Sequence, residues 1–327
     1  MLVENHIRHE HIVWALYTLK IQCLIKINFY DKKYIDIYAL VQYIMSISYS
    51  EDYVVRADEK YKIILLIIAS GGYGYDQFKE YWRLYMNRFS NVRSFFIYSD
   101  PTIVADMHVT NDSISHRSVE SLRPGILYKT IAAMSVCSAL FKYDYIMRTN
   151  LSSFIHIPRL LMYLDAQRLY EYAGGHFNNL PDHPSKSYEH SIVNQYIGRK
   201  LDSKFIFLHG ACFILSKDLI TRMLGIVGGK PERIAIAENV FDDVAMSLLL
   251  NDCVTRPVIG EHYIPKEFVN LYLNKHQCKT VEDPAIYGSD ENIFHFRNKT
   301  SDDERYSDRD VDLTNYLGQM RFFYRIG

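Results

Sequence analysis

Residues 61–74, YKIILLIIASGGYG, decide the fold. Seven consecutive apolar positions, Ile63 to Ala69, too few for a membrane span and without the alternation of a half-exposed strand, suit a β-strand covered on both faces. Ser70 then heads the cluster Ser-Gly-Gly-Tyr-Gly, where three glycines turn the chain into a helix predicted over residues 75–87. A second strand is predicted over residues 92–98 and ends at Ser99-Asp100-Pro101; the polar stretch through Arg117 reads as a surface loop. Residues 127–141, LYKTIAAMSVCSALF, carry an apolar stripe at Ile131, Met134, Cys137 and Phe141, which predicts a helix packed on the sheet. A third strand follows as YDYIMRT, residues 143–149. Strand and helix in alternation define an α/β chain with a largely parallel sheet, whose ligands bind at the carboxyl ends of the strands.

Downstream the pattern loosens. Pro158 opens a helix, YEYAGGH reads as a short strand, and prolines at 181 and 184 mark a loop. FIFLHGACFILS reads as two short strands around His209-Gly210-Ala211, with Ser216 capping a helix through Leu224. A Gly228-Gly229 turn and Pro231 precede Asp242-Asp243, which open a helix through Leu250; the tail FHFRNKTSDDERYSDRD mixes basic and acidic residues. Upstream, residues 1–58 contain no glycine or proline, and the spacing of Ile35, Tyr38, Ala39, Gln42 and Tyr43 predicts an N-terminal helical extension. The expected division is therefore 1–58 and 59–327, the latter with a nucleotide-binding half (59–150) and an acceptor half with the tail (151–327).

Composition bounds the function. The 327 residues carry 37 basic against 38 acidic side chains and are 48% hydrophobic, which excludes a polycationic nucleic-acid binder or a disordered chain. Five widely spaced cysteines without a C-x-x-C pair suit a reduced, cytoplasmic setting. No run approaches the roughly 20 apolar residues of a membrane span, and the start MLVENHIRHEHIVW lacks the order of a secretory signal. The HIRHEH stretch has the wrong spacing for a zincin motif. Oligomeric state is not legible here.

Three polar groups gather at strand ends and helix starts: Arg148-Thr149-Asn150, His209-Gly210-Ala211 and Asp242-Asp243. Their order, with Leu127-Tyr128-Lys129-Thr130 before and Cys212-Phe213-Ile214-Leu215-Ser216-Lys217-Asp218-Leu219 between, resembles the GT-A glycosyltransferases. The likeness is to the β-1,3-galactosyltransferase and Fringe-like group and its relatives in large DNA viruses, and covers roughly residues 60–255. It implies a GT-A-like, Rossmann-type mixed sheet flanked by helices, a nucleotide-sugar donor (a UDP-sugar first) and a glycan or glycoprotein hydroxyl as acceptor. It further implies donor contacts at Ser70, Asp100, Lys129, Arg148, Asn150 and Ser152, acceptor contacts at His209, Gly210 and Ala211, and Asp243 as general base with Asp242 as neighbour or alternative. Glu238 is a further carboxylate candidate.

The chain departs from that group where the Asp-x-Asp motif would hold a divalent ion: Asn150, Leu151 and Ser152 stand there. An amide and a hydroxyl do not supply the charge that manganese or magnesium needs, so no metal cofactor is expected. The motif is similar to that of metal-independent core-2-type β-1,6-N-acetylglucosaminyltransferases, where basic side chains replace the ion. His295, Arg297 and Lys299, at alternate positions of an extended tail, are the expected diphosphate clamp. An inverting, metal-independent transferase is thus the leading expectation. The other is a catalytically inactive GT-A domain that binds glycans or nucleotide sugars in an assembly.

Overall fold

The computed structural model describes residues 46–53, 59–86, 88–166, 173–179, 187–198, 205–253, 269–271, 274–301 and 307–326. The chain divides into two units, Met1–Ile47 and Ser48–Gly327. The helical spacing at residues 35–43 and the HIRHEH stretch lie outside the described residues.

The strands are β1 (Ile47–Tyr49), β2 (Lys60–Ile68), β3 (Val92–Ser99), β4 (Met107–Val109), β5 (Ser113–His116), β6 (Lys142–Asn150), β7 (Ser153–Ile155), β8 (Ala173–Asn179), β9 (Ile206–Ser216), β10 (Val269–Asn270), β11 (Lys275–Cys278) and β12 (His295–Asn298). The helices are α1 (Tyr75–Tyr85), α2 (Gly125–Leu140), α3 (Ile157–Ala166), α4 (Ser187–Ile197), α5 (Lys217–Gly229), α6 (Pro231–Ala237), α7 (Asp242–Asn251), α8 (Ala285–Gly288) and α9 (Arg309–Tyr324). Among the described residues the strands form a nine-stranded mixed sheet, in the order β1-β4-β5-β3-β2-β6-β9-β8-β10, and a three-stranded sheet, β11-β12-β7.

β2 lies at the centre, parallel to β3 on one side and to β6 on the other, with Ile68 level with Asn150. Its side chains from Ile63 to Ile67 are wholly buried, each worth about 1.5–3 kcal/mol over exposure. Alternation sends Ile63, Leu65 and Ile67 into a core with Phe78, Trp82 and Tyr85 of α1, Leu160 of α3, and Tyr316 and Met320 of α9. Ile64 and Leu66 take the other face, which α2 covers through its contacts with β2, β3 and β6. The chain is thus α/β, a mixed sheet flanked by helices, as the alternating pattern implies.

Several local expectations change. The stretch before Arg117 is not all loop: β4 and β5 form an antiparallel hairpin that extends the sheet beyond β3. Its residues are polar because only a few, such as Met107, Val109 and Ile114, face the core. Residues 206–216 form one strand rather than two. β9 pairs with β6 through Cys212 to Ser216 and with β8 at both ends, but Gly175 faces Phe213 and Phe177 faces Leu208, so residues 209–212 bulge out of register. The Gly228-Gly229 pair does not turn the chain but ends α5, and Pro231 starts α6 at once. Ser216 caps α5 as its type demands, accepting from the Leu219 N–H at 3.3 Å. The start of the tail is extended, as β12, and residues 309–324 form a helix that sequence patterning did not anticipate.

Candidate active site at the end of the sixth strand

The bulge of β9 lies beside the carboxyl end of β6, and a bulge frees backbone groups that must find other partners. Side chains supply them. Leu208 N–H donates to Ser247 Oγ at 2.9 Å, Gly210 N–H to Asp243 Oδ2 at 3.2 Å, and Ala211 N–H to His209 Nδ1 at 3.1 Å. Gly210 C=O accepts from Arg148 Nη1, and Ala211 C=O from Thr149 Oγ1 at 3.2 Å. Asp243 and Ser247 share one face of α7 because they are four residues apart, and Ser247 Oγ also donates to Asp243 C=O at 2.9 Å. Helix α7 is thereby clipped to the bulge by two side chains of its first turns.

The lack of a side chain at Gly210 makes room for Arg148. A Cβ there would stand 2.7 Å from Arg148 Nη1 and 3.3 Å from the Asp243 Cβ. The close approach lets Arg148 bond the Gly210 carbonyl with one nitrogen while Nη2 pairs with Asp242 Oδ2 at 2.5 Å. Arg148 is only 2% exposed, its Nε has no hydrogen-bond partner, and its guanidinium lies 5.5 Å from the Phe213 ring centroid. A charge buried this deeply persists because Asp242 balances it.

Asp243 Oδ1 accepts from the Val244 N–H at 2.9 Å, the open first turn of α7. Burial above all, and then the adjacent Asp242, push its carboxyl up to about 6, against Gly210 N–H, Arg148 and Val244 N–H, which pull it down. The competition between a neighbouring carboxylate and the helix N-terminus is thus settled upward, into the range where a carboxylate exchanges protons near neutral pH.

The small sheet brings further cations to act on His209 of the bulge. β12 runs antiparallel to β7, setting Arg297 opposite Ser153, and Asn298 N–H donates to Ser152 C=O at 2.9 Å. Arg297 Nη1 donates to Ser152 Oγ at 2.7 Å and more weakly to Ser153 Oγ at 3.4 Å; His295 Nε2 lies 3.0 Å from Ser153 Oγ. His295 and Arg297 therefore share one face of β12, and both anchor the turn that leaves β6. Burial first, and then Lys275, Arg297, Arg148 and Lys299 in that order, depress His209 to about 4. Four cations thus act on one half-buried imidazole. At neutral pH that ring is uncharged, and acceptance by Nδ1 places its proton on Nε2. Lys275 was not singled out in the sequence. Only the parallel pairing of β11 with β12, Lys275 beside His295, brings it here, and nothing local in KHQC announces that.

The remaining predicted residues fall at the same edge of the sheet or beneath it. Asn150 ends β6, and Ser70 follows β2, whose Ile68 is paired with Asn150. Lys129 is wholly buried; its ammonium donates to Ala69 C=O at 3.0 Å and to both Glu120 oxygens at 2.9 and 2.7 Å, which ties α2 to the end of β2. Asp100 closes a turn, its Oδ1 accepting from Thr102 N–H at 2.9 Å and Thr102 Oγ1 at 2.6 Å. Glu238 is held by the Tyr128 hydroxyl. In the glycine cluster, Gly72 and Gly74 have φ of 140° and 77°, the conformations of a turn leading into α1.

Leu151 is buried with its carbonyl accepting from Trp82 Nε1 at 2.9 Å, Ser152 Oγ is engaged by Arg297, and Asn150 alone offers a neutral oxygen. Among the described residues, no helix is long and apolar enough to cross a membrane.

No protein-family model matches the chain, and no curated protein matches it. Among solved structures it is similar to a glycosyltransferase involved in glycosylation of the major capsid of PBCV-1, at 8% identity and a TM-score of 0.37, over 78% of this chain and 98% of that one. A likeness that loose bears no weight, and the functional reading rests on the site itself.

Proposed function

We propose that the chain is a GT-A-like glycosyltransferase that moves a sugar from a nucleotide donor, a UDP-sugar first, to a hydroxyl of a glycan or glycoprotein, with inversion and without a divalent ion. The observation that carries this reading is the placement of a raised carboxyl and a group of cations around one bulge. The Asp243 carboxyl, raised to about 6, accepts from the Gly210 N–H, while Arg148, Lys275, Arg297 and Lys299 all act on His209.

In the proposed step the acceptor oxygen attacks the anomeric carbon and Asp243 takes its proton. The bond from that carbon to the β-phosphate oxygen breaks, and its electron pair leaves with the diphosphate. Arg297, Lys299 and Lys275 stabilise that charge, as fixed cations do in a water-poor site. The His209, Gly210 and Ala211 segment, whose backbone is held by side chains on both flanks, is where the acceptor would be presented. Asn150, Ser152 and Ser70 lie at the strand ends where the donor would approach.

One observation favours the second reading, a catalytically inactive domain that binds glycans or nucleotide sugars. Asp242 is already paired with Arg148, and Asp243 already accepts two backbone N–H groups. A carboxylate has about four acceptor sites, so two remain on Asp243 and the enzyme reading stands. Turnover of a panel of nucleotide sugars, by the parent and by Asp243→Asn, tests it. Transfer or donor hydrolysis by the parent that the substitution abolishes supports the enzyme. A parent that binds a nucleotide but turns over no donor supports the inactive domain.

A further inference from the structure

We propose that His276, Cys278 and Glu282 form a zinc site of three protein ligands on the side of the small sheet that faces away from the cationic cluster. The three side chains bring one nitrogen, one sulfur and one carboxylate oxygen to within 4.8 Å of one another. His276 and Cys278 are two apart on β11 and so share a face, while Lys275 and Gln277 take the opposite one. The proposal is therefore independent of the transferase reading.

Two further observations point to an ion. His276 Nε2 is buried without a hydrogen-bond partner, and its neighbour across the gap, Glu282 Oε1, stands 3.8 Å away. That is too far for a hydrogen bond. It is close to the spacing of two ligands on one tetrahedral zinc, about 3.3–3.8 Å for bonds of about 2.0–2.3 Å. The sulfur, for its part, is already supported as a metal thiolate would be. Gln319 Nε2 donates to Cys278 Sγ at 3.4 Å, and the Gln319 amide is fixed by a reciprocal pair with Asn298, both hydrogen bonds 2.9 Å. Cys278, Asn298 and Gln319 are all wholly buried, so this outer support is rigid.

The mixed nitrogen, sulfur and oxygen set selects zinc over magnesium or manganese. His276 and Glu282 keep 26% and 14% of their side-chain surface, which leaves an entry path and room for water as the fourth ligand. The bound ion would join β11 to the segment before α8 and, through Gln319, to α9. It would thereby stiffen the strand that bears Lys275.

The test uses the full chain, freed of metal, reloaded with zinc or cobalt and passed through gel filtration. We expect one retained zinc per chain and, with cobalt, a thiolate-to-metal charge-transfer band with the visible bands of a tetrahedral ion. Cys278→Ser should lack the charge-transfer band. Glu282→Gln and His276→Gln should bind at least tenfold more weakly. Because these two side chains are partly exposed, they carry the test should Cys278→Ser fail to fold. No retained zinc in the parent, a charge-transfer band surviving in folded Cys278→Ser, or undiminished affinity in both glutamine variants would overturn the proposal.

Discussion

Between Ile63 and Ile68, β2 gives its backbone groups to β3 and β6, and its side chains do nothing but pack. Between Leu208 and Ala211, β9 gives its backbone groups to Ser247, Asp243, His209, Arg148 and Thr149, and each of those side chains belongs to the proposed site or holds it. One sheet thus contains two kinds of strand. The first is made by area removed from water and tolerates exchange among apolar residues; the second is made by individual polar bonds, each costly to leave unmade. The difference teaches where to look for chemistry: polar side chains are buried here because a bulge needs partners, and the same geometry aims them at the strand ends.

The sharpest break between the two regions is chemical. Asp243→Asn should lower turnover by about 10²–10⁴, the usual contribution of a general base, while nucleotide binding persists. In the parent, activity should rise with pH through about 6, as Asp243 becomes the carboxylate, and then level off. Steady-state kinetics across pH check both. Next in size is Arg148→Ala, which breaks a pair whose arginine is buried, leaves the half-buried Asp242 without its cation and should cost about 3–5 kcal/mol of stability in denaturant titration. Leu65→Ala should cost about 2–5 kcal/mol through the cavity it opens, yet leave nucleotide affinity of the folded protein unchanged. Equal damage to function from both would erase the distinction.

How much of this contrast was legible beforehand follows from the same physics. The apolar run at 61–69 announces β2 because burial on both faces is written in composition, and the stripe of α2 and the Ser216 cap are local signals too. The hairpin of β4 and β5 is not legible, since short polar edge strands exist through pairing with β3 and each other. Nor is the continuity of β9: the small residues 210 and 211 suggest a turn, and only opposition to β6 and β8 makes them a bulge. At the site, the sequence offers Arg148, Asp242, Asp243, Arg297 and His295 as candidates. Lys275 and Ser247 are not legible because their roles arise from strand register and helix docking.

Smaller effects sharpen the picture. Ser247→Ala, which strips the Leu208 N–H of its acceptor, should cost about 1–3 kcal/mol in denaturant titration, more than a surface serine would. The smallest is a linkage effect. The native Asp243 carboxyl holds its proton to about 6 while the unfolded chain releases it near 3.8, so its contribution is present below about pH 4 and is lost as pH rises through 6. Relative to Asp243→Asn, the parent should therefore lose stability between pH 4 and 6; a constant difference would show that Asp243 is not raised.

The cationic cluster is the central claim, and calorimetric titration of UDP into the full chain, in chelator and with no divalent ion added, tests it most directly. The account predicts binding that added manganese does not tighten and that Arg297→Ala with Lys299→Ala weakens at least tenfold. Binding that requires manganese, or an affinity the double substitution leaves intact, would contradict it.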